Sequence, residues 1–145
     1  MQKQKGFTII ELIVVIAIIA VLASIVLVNV TSYINKGKDA AAEGNLAGMV
    51  TNYAIFTDGG GTVGSTYLTQ VGATGGASYL NMLSTQSYTA TTGKTGANWC
   101  ACVQLKQYST ATYYCVDSSG NKKQSTTACS TICTDANAGT TSCSS

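Results

Sequence analysis

The sequence contains no histidine and no proline, and only 10% of its 145 residues are charged. Without histidine, the conventional Ser/His and Cys/His pairs of nucleophilic enzymes are excluded. Asp58, Asp117 and Asp135 are isolated acids, without the spacing of paired catalytic carboxylates or of a metal site. We therefore expect no enzymatic activity, no catalytic residue, and no bound metal or other cofactor. The lack of proline also removes the usual cause of a break within a helix.

Charge is balanced in most of the chain, although the overall formal charge is +2. Two of the eight lysines, Lys3 and Lys5, lie in the first six residues, and the remainder carries six lysines and six acidic residues. A neutral chain lacks the basic patch that binds nucleic acid or anionic lipid. Nucleic acid is therefore not expected as a main partner.

Residues 7–30 form a long apolar run in which Glu11 is the only charged residue. At about 1.5 Å per residue, a helix of this length can span a bilayer. A carboxylate in hydrocarbon is costly, so Glu11 needs a partner and is by default a functional residue. The run predicts a membrane helix with a specific role for Glu11.

A candidate partner for Glu11 appears if the chain is cut between Gly6 and Phe7. The cut would leave a basic leader of residues 1–6 on the cytoplasmic side and a free amine on Phe7, one helical turn from Glu11. Two alternatives remain open. The run could be an ordinary signal peptide cleaved before Ser24, or a plain membrane anchor in which Glu11 complements the positive end of its own helix.

The segment Gly6-Phe7-Thr8-Ile9-Ile10-Glu11-Leu12, with the apolar run after it, closely resembles the N-terminus of type IV prepilins and type II secretion pseudopilins. The resemblance covers about the first 30 residues. It implies that prepilin peptidase cuts after Gly6 and that Phe7 becomes the N-methylated first residue. It also implies that Glu11 neutralises the N-terminal amine of a neighbouring subunit during assembly. Many family members have a proline near the position of Val28, and this chain does not.

The helix is expected to continue in amphipathic form over residues 31–57 and to end at Asp58, before Gly59 and Gly60. The three glycines in this half of the helix are explained equally well by helix weakness and by tight packing. Residues 58–78 are predicted to be a glycine-rich loop. The apolar positions are Ile34, Ala41, Leu46, Met49, Val50, Tyr53 and Phe56, and the polar faces are assigned to Asn35, Lys36, Lys38, Asp39, Glu43, Asn45 and Asn52.

Residues 79–145 are predicted to form an antiparallel sheet and a cysteine-rich C-terminal region. Strands are expected at 67–71, 87–91, 97–106 and 110–117, the last two as a hairpin, whereas 78–83 fits a helical turn or a strand. Alternation places Trp99, Val103 and Leu105 toward the long helix. The predicted fold class is α+β: a long N-terminal helix packed on a small antiparallel sheet, as in pilins, with a disulfide-tied C-terminal loop.

All six cysteines lie in the last third of the chain, and their number is even. In a small exported domain this predicts disulfides, each worth about 2 to 4 kcal/mol. The preferred pairing joins Cys102 to Cys115 across the hairpin, Cys133 to Cys143, and Cys100 to Cys129. The CxC and CxxxC spacings do not fit a zinc site.

The sequence thus predicts a structural subunit, the major pilin of a type IV pilus, that polymerises with copies of itself. The resemblance implies three further partners: a prepilin peptidase, an inner-membrane platform protein and an assembly ATPase. The subunit would lie in the inner (cytoplasmic) membrane before assembly and in an extracellular pilus at the cell surface afterwards. The alternatives are a pseudopilin of a secretion or competence system and, in another class, a secreted or membrane-anchored binding module.

Overall fold

The computed structural model describes residues 6–60, 65–70, 72, 75–135 and 143. The chain divides into two compact units, Met1–Asn35 and Lys36–Ser145. One helix, α1, contributes residues to both units. The elements in chain order are α1 (Ile9–Asp58), α2 (Ser65–Thr69), α3 (Gly76–Thr85), β1 (Thr91–Thr95), β2 (Asn98–Leu105), β3 (Thr112–Asp117), β4 (Lys122–Ser125) and α4 (Cys129–Ile132).

The four strands form one antiparallel sheet in the order β1-β2-β3-β4. The predicted hairpin is present as β2 and β3, with Val103 opposite Tyr114 and Cys102 opposite Cys115. The predicted end of the long helix at Asp58 and the α+β class are confirmed. Large apolar residues alternate with other residues along the sequence of β2. This pattern is typical of a strand because successive side chains point to opposite faces.

The core of the second unit lies between α1 and one face of the sheet. Trp99 is fully buried, and its ring centroid lies 5.5 Å from that of Tyr53 and 5.2 Å from that of Tyr67. The prediction that β2 packs its apolar face on the long helix is therefore confirmed. Buried core residues are Ala42, Leu46, Met49 and Phe56 of α1, Tyr67 and Leu68 of α2, Leu83 of α3, Tyr88, and Trp99, Ala101, Val103, Leu105 and Val116 of the sheet.

The region between α1 and the sheet differs from its prediction. The expected loop at 58–78 contains α2 and the start of α3, the expected strand at 67–71 is helical through Thr69, and 78–83 is helix. Of the strand expected at 87–91, only Thr91 lies in β1. Burial of Tyr67, whose hydroxyl donates to the Met49 carbonyl at 2.7 Å, fixes α2 against α1. A five-residue segment is too short for its periodicity to reveal this contact.

Two residues assigned to the polar side of α1 are buried. Asp39 is fully buried and Asn52 is 8% exposed. Asn52 accepts a hydrogen bond from the Tyr67 hydroxyl at 3.2 Å, so its polar group is satisfied inside the core. Gly48 is explained by close packing, because a Cβ there would lie 3.0 Å from the Tyr79 ring.

The other face of β2 is covered by the C-terminal segment, which three disulfides attach to the sheet. The bridges are Cys100–Cys133, Cys102–Cys129 and Cys115–Cys143, with Cα separations of 5.7, 5.5 and 5.6 Å. The preferred sequence-based pairing was therefore wrong in all three bridges. Cys102 does lie opposite Cys115, but both side chains bond to the segment above the sheet instead of to each other.

The spacing of two cysteine pairs explains this arrangement. Cys100 and Cys102 are two residues apart on a strand, about 7 Å along its axis, and point to the same face. Cys129 and Cys133 are four residues apart, at the first residue and the C-cap of α4, about 6 Å along a helix axis. The two distances nearly match, so one turn of helix can lie on the strand with both bridges formed.

The segment carrying α4 also approaches β1 closely. A Cβ on Gly93 would lie 2.4 Å from the carbonyl carbon of Thr134, so a larger residue cannot be accommodated there without displacing the backbone. The Lys94 amide donates to the Asp135 carboxylate at 2.8 Å. This hydrogen bond gives one backbone amide of the edge strand β1 a partner.

Candidate functional site

The first half of α1 presents an apolar surface that no other described residue of its own unit covers. Every large apolar side chain recorded there is between 45% and 78% exposed. The mean hydropathy of its most apolar 18-residue window is 3.2, and by length and composition the helix can cross a membrane. The exposed side chains include Ile9, Ile10, Leu12, Ile13, Val14, Val15, Ile16, Ile18, Ile19, Val21, Leu22, Ile25, Val26, Leu27, Val30, Tyr33 and Ile34.

Thr8 and Glu11 form a reciprocal cap at the start of this helix. One carboxylate oxygen of Glu11 accepts hydrogen bonds from the Thr8 backbone amide at 2.8 Å and from the Thr8 hydroxyl at 2.7 Å. The Glu11 amide donates back to the Thr8 hydroxyl at 3.3 Å. This is a capping box, which satisfies the free amides at a helix start and places a negative charge at the positive end of the helix.

The capping box gives Glu11 a partner within its own chain, as the plain-anchor alternative supposed. The sequence reasoning missed Thr8, although the pattern Thr8-Ile9-Ile10-Glu11 is the usual signature of a capping box. Gly6 and Phe7 precede the helix, and Phe7 is 75% exposed. The bond between Gly6 and Phe7 therefore lies in accessible, non-helical backbone, two residues before α1.

A buried carboxylate lies in the other unit and was also missed. Asp39 accepts hydrogen bonds from the backbone amides of Lys106 at 2.9 Å and Gln107 at 2.7 Å, and from the Tyr88 hydroxyl. Burial, together with this bond to Asp39, raises the pKa of Tyr88 above its ordinary value. Nothing in the local sequence distinguishes Asp39 from the solvated acids of α1.

Among the described residues, no cluster of three or more cysteine, aspartate or glutamate side chains could bind a metal ion. All six predicted cysteines, Cys100, Cys102, Cys115, Cys129, Cys133 and Cys143, are in disulfides. Asp117 is buried and accepts from the amides of Ser119 and Asn121, so it stabilises the turn between β3 and β4. The Asp135 carboxylate accepts a hydrogen bond from the Lys94 amide.

Known proteins resemble the N-terminal segment. The prokaryotic N-terminal methylation motif matches residues 1–27. Two relatives from Moraxella bovis, the type IV major alpha-pilin and fimbrial protein Q, are each 51% identical to this chain over 47 residues. About a third of the chain is therefore similar to part of a type IV pilin. In each case the match covers 32% of this chain and 30% of the relative.

The methylation motif at residues 1–27 includes the capping box and most of the exposed apolar surface. No solved structure matches the chain. The architecture of the second unit is pilin-like: a long helix packs on a small antiparallel sheet, and disulfides lie in the C-terminal region. In this pilin-like chain α1 is helical from Ile9 to Asp58 without interruption, as expected for a helix without proline.

Proposed function

We propose that this chain is the major pilin of a type IV pilus, a structural subunit that polymerises through the first half of α1. The observation that carries the proposal is the exposed apolar surface over residues 9–34. Burying one large apolar side chain is worth about 1.5 to 3 kcal/mol, so this surface is strongly unfavourable in water. A bilayer before assembly, and the helices of other copies afterwards, would provide the missing environment.

Processing would convert the membrane-bound form into an assembly-competent one. Lys3 and Lys5 would keep the leader on the cytoplasmic side of the inner membrane, following the positive-inside rule. A prepilin peptidase would cut between Gly6 and Phe7 and methylate the new amine of Phe7. The accessible position of Phe7 ahead of the helix supports this step.

Glu11 would then have two partners in succession. In the membrane, the Thr8 cap keeps the carboxylate hydrogen-bonded. During assembly, the N-terminal amine of a neighbouring Phe7 would pair with Glu11, because opposite charges in a low-dielectric core attract strongly and either one alone is penalised. The pair would fix the axial position of each incoming subunit.

The remaining partners would act on this filament from the inner membrane. A platform protein and an assembly ATPase would drive growth, and the disulfide-bonded second unit would be carried to the cell surface. Such a filament can support adhesion, motility or DNA uptake. We propose the formation of the filament and assign it none of these activities.

The test is to identify the mature N-terminus by mass spectrometry and to examine the cells by electron microscopy. The proposal expects a first peptide that begins at N-methylated Phe7, and long surface filaments that contain the chain. A start at Ser24 would show a signal peptide, and an intact Met1 would show a plain anchor. Correct processing with only a short periplasmic assembly would instead indicate a pseudopilin.

A further inference from the structure

A polar groove lies at one end of the sheet, and we propose that it binds a neutral saccharide. This Tyr108 groove has a volume of about 470 Å³. Sites for small molecules commonly occupy about 300 to 1,000 Å³. The proposal concerns only the second unit and does not depend on polymerisation. The groove is lined by Ser87, Tyr88, Thr89, Gln104, Leu105, Lys106 and Tyr108.

Tyr108 also lines a second hollow. This hollow has a volume of about 510 Å³ and includes Thr112, Lys123 and Gln124 in its lining. Tyr108 lines both spaces, and its side chain is 42% exposed. An aromatic ring placed between two hollows offers an apolar face to an elongated ligand that occupies both.

Two of the segments that line the Tyr108 groove are joined by Asp39. Its carboxylate accepts from the Lys106 and Gln107 amides, just after β2, and from the Tyr88 hydroxyl. One fully buried side chain therefore ties these two segments together. A groove held in this way loses little conformational freedom when a ligand binds, which favours affinity.

Strained backbone is also present in the groove. Ser87 has a φ of 65°, the left-handed region that residues other than glycine seldom adopt. Its carbonyl accepts from the Lys106 ammonium at 2.7 Å, and that ammonium lies 4.4 Å from the centroid of the Tyr88 ring. Such strain persists where surrounding contacts enforce it, and it is enriched at binding sites.

The charges around the groove favour a neutral ligand. The Lys106 ammonium is accompanied by the Asp39 carboxylate, which binds the backbone amide of the same residue. On the far side of Tyr108, the Gln124 amide donates to Glu43 at 2.6 Å, which brings an acid near the hollow that holds Lys123. An acid thus contacts a lining residue of each hollow, which offsets part of the positive potential of Lys106 and Lys123.

The groups left for a ligand match the chemistry of a sugar. Thr89 and Gln104 are exposed, and neither side chain makes a hydrogen bond within the part of the chain that the structure describes. A hydroxyl and an amide both donate and accept, as sugar hydroxyls require. The exposed ring of Tyr108 can pack against the C–H face of a sugar ring while its hydroxyl donates to the Gln124 side chain at 3.5 Å.

Binding can be tested with the full-length chain in phosphocholine micelles, which carry no sugar head group, on an array of neutral and acidic oligosaccharides. We expect a neutral oligosaccharide to bind, and we expect both Tyr108→Ala and Thr89→Ala to weaken its affinity by about tenfold, equivalent to about 1.4 kcal/mol. Tyr108→Phe should retain binding because it keeps the ring. Thr92→Ala is the matched control, since it removes an exposed hydroxyl outside the groove.

Several results would overturn the proposal. These are no binding of neutral saccharides at millimolar concentration, unchanged binding by Tyr108→Ala, or an equal loss in Thr92→Ala. Preference for acidic saccharides, inorganic phosphate or a single-stranded oligonucleotide would show that the groove selects anions and would also contradict it. Circular dichroism and an intact disulfide map would establish that each variant is folded.

Discussion

The Tyr88 hydroxyl donates a hydrogen bond to the Asp39 carboxylate, although the two residues are 49 positions apart in the chain. The same carboxylate binds the Lys106 and Gln107 amides, at the end of β2. A single acid on α1 therefore holds both the α3–β1 connection and the β2–β3 connection. Because Asp39 is fully buried, these bonds replace the water it loses on folding.

Replacing Asp39 with asparagine should destabilise the second unit. Asp39→Asn keeps the size of the side chain but removes the charge and turns one acceptor into a donor that faces backbone amides. We expect a loss of about 2 to 4 kcal/mol in the free energy of unfolding, measured by urea denaturation with the disulfides intact. Tyr88→Phe, which removes one neutral donor, should lose about 1 kcal/mol. An unchanged midpoint in Asp39→Asn would contradict the role assigned to this acid.

Stability should fall at alkaline pH. Burial raises the pKa of Tyr88, helped by Asp39, and burial also raises the pKa of Tyr67, so both hold their protons more tightly when folded than when unfolded. Their contribution is complete below the ordinary tyrosine pKa of about 10 and is lost progressively as the pH rises above it. Urea denaturation between neutral and alkaline pH, with tyrosinate absorbance, measures the effect. Tyr88→Phe should reduce the slope, and an unaltered slope in both Tyr88→Phe and Tyr67→Phe would be inconsistent with this origin.

The capping box should matter for assembly more than for processing. Thr8→Val removes the hydroxyl that bonds Glu11, and the loss of an N-cap side chain is worth about 0.5 to 2 kcal/mol at the helix start. We expect normal cleavage by mass spectrometry and fewer filaments by electron microscopy. Thr8→Ser retains the hydroxyl and is the matched control. Equal filament yields in Thr8→Val and the wild type would show that the capping box has no role in assembly.

The charge of Glu11 can be separated from its hydrogen bonding. Glu11→Gln preserves an acceptor for Thr8 but cannot neutralise a neighbouring amine, so we expect processed subunits that accumulate in the membrane without filaments. Glu43→Gln changes a different acid on the same helix, and filaments should form. Pilus yield and the cleaved fraction are measured together. Normal polymerisation of processed Glu11→Gln would contradict the charge-pairing proposal.

The disulfide pattern makes a direct chemical prediction. Proteolysis without reduction should release peptides linking Cys100 to Cys133, Cys102 to Cys129 and Cys115 to Cys143. Removing one bridge with Cys102→Ser and Cys129→Ser together should lower the free energy of unfolding by about 2 to 4 kcal/mol. Recovery of a Cys102–Cys115 peptide from the folded wild-type chain would show that the hairpin pairing is the true one.

The features that the sequence predicted correctly are those with a local or periodic signal. The long helix ends at Asp58, where the glycines begin, and the alternation from Trp99 to Leu105 identifies both a strand and the face that packs on the helix. The Thr8–Glu11 cap belongs to the same class, since its residues are three apart, although that signal was overlooked. Local steric and hydrogen-bonding preferences are sufficient to produce such features.

The tertiary structure alone decided features that join distant residues. The residues that flank Asp39 in the sequence are like those that flank a solvated acid. Asp39 is buried only because Tyr88 and Lys106, which are distant in the chain, pack against it. Tyr67 lies in a helix because its ring and hydroxyl fit against α1. The cysteine pairing depends on α4 lying over β2 with matching spacings. Each outcome is set by the free energy of contacts between remote segments, which no local pattern encodes.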